Sequence, residues 1–156
     1  MSLEEIIHSI QSQINAEGKL NEMPVMVIPS ELILEVCKQI HQNPSTYFDM
    51  LSCLTGIDNG AEAGTMEVVY NLYSIPFNRS LMLKVILPRD LAEIESVCTV
   101  WKGANWLERE VYDMFGIHFK NHPDLRRILK PADWEGHPLK KDYQHQELYR
   151  DIQVKY

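Results

Sequence analysis

Between Trp106 and Lys130 the chain reads WLEREVYDMFGIHFKNHPDLRRILK, and this run holds most of the residue types that do chemistry. Three chemistries can be weighed on it. His118 and His122 have the i,i+4 spacing of a metal-binding pair on a helix, which would make a small metal-dependent enzyme. However, Gly116 before them and Pro123 after them break a helix there, and neither an HExxH pattern nor a cysteine pair accompanies them. His137 and His145 could add ligands only from far along the chain. Glu110 with Asp113 could serve as an acid–base pair if their environments differed, but no nucleophile elbow or oxyanion loop stands beside them. Arg126 and Arg127 offer a third chemistry, the bidentate binding of carboxylates. Adjacent residues in an extended segment point opposite ways, so one arginine should lock to Glu108 or Glu110 within the chain and the other should reach outward.

The element carrying these residues is a helix from Trp106 to Phe115, with Asn105 as its cap and Gly116 as its stop. Leu107, Val111, Met114 and Phe115 cluster on one side, which should face a core. Glu108 and Glu110 fall on the borders of that stripe, partly desolvated and seeking cations, while Arg109 and Asp113 lie opposite at a spacing that favours pairing.

The elements before it can be read in order. Ser2 and Glu5 form a capping box for an amphipathic helix over 3–15 that carries Leu3, Ile6, Ile7, Ile10 and Ile14, with Gly18 just beyond. A short strand lies within Met23 to Pro29, and Ser30 should cap a helix with the stripe Leu32, Ile33, Val36, Cys37 and Ile40. TYFDMLSCLTGID, TMEVVYNLYSI and LMLKVILP then read as three strands of an antiparallel meander. In the last of them Leu81, Leu83, Val85 and Leu87 share one face, which should meet the helices. Gly56, Gly60 and Gly64 fit neither GxGxxG nor a phosphate loop followed by Lys-Ser/Thr, so they mark a hairpin. Asp90 and Glu93 form another capping box, which predicts a helix carrying Leu91, Ile94, Val97, Cys98 and Trp101 and ending near Gly103.

This order gives an α+β two-layer sandwich: a mixed, mostly antiparallel sheet with helices packed on one face, followed by an extended C-terminal tail. Residues 1–116 form the α+β domain, and 117–156, punctuated by Pro123, Pro131, Gly136 and Pro138, form a docking segment within a single domain overall. A tail of this length without periodicity is disordered or laid over a partner, and Trp134, Tyr143 and Tyr149 favour a partner.

Composition narrows the function classes. A net charge of −7 excludes a non-specific nucleic-acid or anionic-membrane binder, although Lys120, Arg126, Arg127 and Lys130 against Asp124 make a local cationic island suited to an acidic partner. Three cysteines at wide spacings, Cys37, Cys53 and Cys98, suit a reducing compartment and fall short of the four thiolates an iron–sulfur cluster takes. No apolar run reaches the ~18 residues of a membrane span, and the acidic N-terminus is unlike a signal or transit peptide.

From Leu107 to Leu129 the motifs ERE, DMFG and HPDLRR, followed by DWEGHPLKKDY from Asp133 to Tyr143, closely resemble the signature of the 30-kDa subunit family of respiratory complex I, the proton-translocating NADH:quinone oxidoreductase. The resemblance covers roughly the C-terminal quarter. Lys140 stands where an arginine is expected and Gln144 where a proline often follows. The resemblance implies a cofactor-free subunit of the hydrophilic arm, held against the large, 49-kDa-type quinone-site subunit and other arm subunits. FMN, Fe-S clusters and quinone would be bound by those other subunits. It further implies a peripheral place on the cytoplasmic side of a prokaryotic membrane, reached only through the complex. Glu108, Arg109, Glu110, Asp113, Gly116, His122, Pro123, Arg126 and Arg127 carry over as the docking and structural set, with Trp134, His137 and Tyr143 from the tail, and none as catalytic. The equivalent subunit of a membrane-bound hydrogenase or another quinone-linked dehydrogenase is the related alternative.

Overall fold

The computed structural model describes residues 2–15 and 23–154. Helix α1, Leu3–Asn15, opens on the expected capping box: the Ser2 amide donates to Glu5 Oε2 at 2.7 Å and the Glu5 amide to Ser2 Oγ at 3.3 Å. Ile6 and Ile10 are wholly buried beneath it; the Ile14 side chain and Gly18 lie outside the described residues. Strand β1, Val25–Val27, follows. Ser30 does not cap the next helix. Ser30–Leu32 form a 3-10 turn closed by the Leu32 amide on the Pro29 carbonyl, so helix α2, Ile33–Gln42, starts without a side-chain cap. Its stripe of Ile33, Val36, Cys37 and Ile40 is buried as the periodicity predicts, and burial pushes the Cys37 thiol well up.

The meander consists of β2 (Met50–Asp58), β3 (Thr65–Ser74) and β4 (Arg79–Pro88), paired antiparallel. β1 adds in parallel beside β4, giving the order β1-β4-β3-β2 and a mixed, mostly antiparallel sheet. Leu81, Leu83, Val85 and Leu87 of β4, with Met66, Val68, Tyr70 and Leu72 of β3, form the inner face against the helices. On the outer face Val25, Val27 and Ile86 remain exposed around the Lys84–Glu67 ion pair.

The helix expected over Leu91–Trp101 does not form. Glu93–Glu95 is instead strand β5, paired in parallel with β6, His118–Lys120, beyond the helix α3, Ala104–Phe115. The reason is tertiary: the Ser96 amide donates to the Lys120 carbonyl and the Val97 amide to Glu108 Oε1, so amides that a helix would use internally are taken by distant acceptors. Ile94, Val97 and Trp101 are buried all the same, through a strand and a turn. Residue 117 is likewise no seam, because Ile117 and Phe119 sit in the core. A small hairpin, β7 (Leu148–Tyr149) with β8 (Ile152–Gln153), ends the described chain.

Candidate functional site

Helix α3 lies on the inner face of β2 because Gly56 leaves room for it. A Cβ there would come within 2.7 Å of the Phe115 ring and 3.0 Å of Val111. The helix starts after Gly103 with no side-chain cap, so Asn105 is its second residue. It stops at Gly116 in the left-handed conformation, φ +76°, where a Cβ would also fall 2.6 Å from the His137 ring.

Three ionisable side chains of α3, Glu108, Arg109 and Asp113, are buried, and none is satisfied as a helical wheel suggests. Glu108 meets no arginine. Its Oε2 accepts from Ser96 Oγ at 2.7 Å and Cys98 Sγ at 3.3 Å, and its Oε1 from the Val97 amide at 2.8 Å, so it ties the turn after β5 to the helix. Burial raises its pKa against the lowering by those bonds, and the neighbouring Cys98 thiol is pushed up to about 12, first by burial.

His122 Nε2 stands 3.9 Å from Glu108 Oε2, and Cys98, Glu108 and His122 bring one ligand-type atom each to a common space. They are nevertheless engaged. The Asp124 amide donates to His122 Nδ1, which fixes the ring hydrogen on Nε2, and Nε2 donates to the Asn105 carbonyl at 3.1 Å. His118 is exposed on β6 and takes no part in this cluster, so the His118/His122 pair of the alternative metal-enzyme reading is not brought together.

Arg109 does not pair with Asp113. Its Nε donates to the Arg126 carbonyl at 3.1 Å and its Nη2 to that of Arg127 at 3.5 Å, while its guanidinium lies 5.3 Å from the centre of the Trp106 ring. Asp113, expected on the solvent side, is fully buried. Its Oδ2 accepts from the amides of Ile128, Leu129 and Lys130 at 2.7–3.0 Å, and its Oδ1 accepts from Arg127 Nη1 at 2.7 Å. Burial pushes this carboxyl up, but the Lys130 amide, Arg127 and the amides of Leu129 and Ile128 outweigh it and hold the pKa below the ordinary range. Thus Arg127 is the inward arginine, bound to Asp113 instead of Glu108 or Glu110, and Arg126 is the outward one. Glu110 and Pro123 are exposed.

The tail to Tyr143 lies on the chain's own domain. Arg127 Nη2 donates to the Gly136 carbonyl, His137 Nδ1 to that of Asp113, and the Leu139 amide to that of Met114. Burial lowers the His137 pKa. Farther on, Asp58 at the end of β2 receives Arg89 through Nε at 2.8 Å and Nη2 at 2.9 Å, the Gly60 amide, and the Lys141 amide at 2.8 Å; Arg89 also reaches Asp142 at 2.6 Å. The bonds from Arg89 hold the Asp58 carboxyl far below the usual range. Trp134 donates through Nε1 to the Tyr143 hydroxyl at 3.1 Å and packs beside Tyr149, so these aromatics brace the tail itself. Sequence reasoning missed Asp58, Arg89, Ser96 and Asp142; no local pattern marks them, since their partners are remote in the chain.

Residues 26–149 match the family model described as respiratory-chain NADH dehydrogenase, 30 Kd subunit. The chain belongs to this family. A relative from Geobacter sulfurreducens, the C subunit of NADH-quinone oxidoreductase, is 44% identical over 119 residues, covering 76% of this chain and 72% of its own. A longer relative from Azotobacter vinelandii, the C/D subunit of NADH-quinone oxidoreductase, is 37% identical over 152 residues, 90% of this chain but 26% of its own. Among solved structures, a chain of the membrane-bound sulfane sulfur reductase, an archaeal respiratory membrane complex, superposes with a TM-score of 0.67 at 25% identity, covering 90% of this chain and 85% of that one. The α+β architecture of the 30-kDa family is therefore the fold of this chain. No helix among its described residues is long and apolar enough to cross a membrane.

Proposed function

We propose that the chain is the cofactor-free hydrophilic-arm subunit of a proton-translocating NADH:quinone oxidoreductase, seated against the large 49-kDa-type quinone-site subunit. It joins the complex at the cytoplasmic face of a prokaryotic membrane, and FMN, iron–sulfur clusters and quinone belong to other subunits. The carrying observation is the C/D relative: a sequence matching 90% of this chain occupies about a quarter of one polypeptide whose name joins C to D. A covalent junction of that kind keeps the two parts adjacent by construction. The buried carboxylates suit a structural subunit, because Glu108 and Asp113 are engaged by donors of the chain itself. The solved sulfane sulfur reductase favours a second reading, the equivalent subunit of a complex with another electron donor, but its identity of 25% is well below the 44% of the NADH-quinone relative.

The test is recovery of the tagged full chain from detergent-solubilised membranes of its host. The proposal expects the large quinone-site subunit in the eluate together with NADH-dependent quinone reduction. A recovered complex that reduces quinone only with another donor favours the second reading. A chain recovered alone, with a stoichiometric chelatable metal tied to turnover, refutes both.

A further inference from the structure

Arg126 to Lys130 runs alongside α3 from Arg109 to Asp113, and the ridge so formed exposes Trp106, Arg126 and Leu129, with the exposed Glu110 one helical turn from Trp106. Trp106 is 62% exposed and Leu129 59%, and the Arg126 side chain is 73% exposed. We propose, resting on the subunit reading above, that this ridge is the primary docking face and that its occupant is an acidic segment of the large subunit. In this arrangement a carboxylate pairs with Arg126, and an apolar neighbour covers the Trp106 ring.

Three observations carry it. The ridge is held rigid from beneath: the buried Arg109 guanidinium packs on Trp106 and holds the Arg126 and Arg127 carbonyls, so the indole and the arginine-bearing segment are fixed relative to each other. A preorganised surface loses little conformational freedom on binding. Next, the binding capacity is open. Arg126 bonds Asp124 through Nε, Asp124 is itself half exposed, and the Arg126 side chain stays 73% exposed, which leaves the fork room to take a bidentate carboxylate. Finally, the sign is set by contrast with the chain. In a protein of net charge −7, Arg127 is spent on Asp113 and Lys130 lies over Trp134, so Arg126 is the outward cation of this segment. Glu110 and Asp124 are exposed acids beside it, so the attraction is confined to the Arg126 fork, which takes a single carboxylate. Exposed tryptophan beside arginine is also the pairing in which interfaces concentrate binding energy. The outer sheet face with Val25, Val27 and Ile86 is apolar too, but nothing indicates what covers it.

The test places the photocrosslinking residue p-benzoylphenylalanine at Trp106, and separately at Ile86 on the outer sheet face, in the tagged full chain within its host. The large subunit is the probe, identified by mass after irradiation. The proposal expects crosslinking to the large subunit from position 106 and none from 86, with the captured peptide containing Asp or Glu. Arg126→Glu should lower recovery of the large subunit at least tenfold, while Arg126→Lys keeps part of it and both isolated variants melt as the wild type does. A crosslink from position 86 alone, a captured peptide without acids, a crosslinked dimer of this chain, or full recovery with Arg126→Glu overturns the docking face while the subunit reading stands. A wild-type chain that recovers no large subunit overturns both.

Discussion

Replacing Asp113 by alanine should unfasten the segment after α3 without unfolding the sheet. The carboxylate accepts four donors, Arg127 and the amides of residues 128–130, from a fully buried position. Removing one partner of a buried ion pair costs about 3–5 kcal/mol when the other stays in place. The three stranded amides would add about 1 kcal/mol each if they too were held. They are not held, because Leu129 is exposed and the segment can lift into water, so the loss is capped at whatever keeps the segment down. The expected signature is therefore local. Hydrogen exchange at the amides of Ile128, Leu129 and Lys130 should accelerate on the order of a hundredfold, which corresponds to about 3 kcal/mol, while amides of β3 and β4 change little. Asp113→Asn keeps a carbonyl for the amides but loses the charge-assisted bond to Arg127, and should fall between, at about 1.5–3 kcal/mol. Unchanged exchange at 128–130 in the alanine variant, or acceleration spread evenly over β3 and β4, would refute the idea that Asp113 is the anchor.

The same anchor has a pH window. The pKa values of Asp58 and Asp113 are lowered on folding, so their contribution is present above the unfolded value of about 3.9 and is lost as pH falls through the folded one. The amides of Lys130 and Lys141 should lose protection only below about pH 4, and loss that begins as pH falls below the ordinary histidine value would point to His137 instead. Glu108 has the opposite sign. Its raised folded pKa gives stability that is full in acid and declines as pH rises towards the folded value. Glu108→Gln should therefore be as stable as the wild type or about 1 kcal/mol more stable at pH 8, with no such advantage at pH 4, and thermal melts showing it clearly weaker at pH 8 would contradict this. Gly116→Ala should cost about 2–3 kcal/mol, roughly 1–2 from the left-handed backbone and the rest from displacing His137, whose ring lies 2.6 Å from the added carbon; an unchanged melting temperature would exclude the clash.

What the sequence made legible is what short-range periodicity encodes. The α1 capping box, the buried stripe of α2, the alternation in β4 and the Gly116 stop all depend on residues within a few positions of one another. Apart from the Ser30 cap, displaced by a local 3-10 turn, the failures share one cause. Leu91–Trp101 has helical spacing and a capping box, yet its amides bond to Lys120 and Glu108, which no local window contains. A helical wheel puts Asp113 on the solvent side because it assumes one buried face. α3 has two, one on β2 and one under the segment that returns over it, and only the second explains Arg109 and Asp113. The bond between Arg89 and Asp142 spans 53 positions and leaves no trace in either neighbourhood.

Glu108 and Asp113 sit five residues apart with pKa values pushed in opposite directions, the arrangement that in an active site assigns an acid and a base. Here the split has a different origin. Asp113 is lowered by a guanidinium and three amides that close a loop around it, while Glu108 is raised by burial, which the bonds from a hydroxyl, one amide and a thiol, none with a full charge, lower but do not outweigh. Each carboxylate thus records which piece of chain it holds: Asp113 the segment carrying Arg126, Glu108 the turn after β5. Both are closed to solvent, so a substrate could reach either only by displacing that piece. Perturbed carboxylates therefore separate into sites and anchors by their donors. When the donors are main-chain amides of a remote segment, the perturbation measures attachment, and what matters for function is the surface that the attached segment displays.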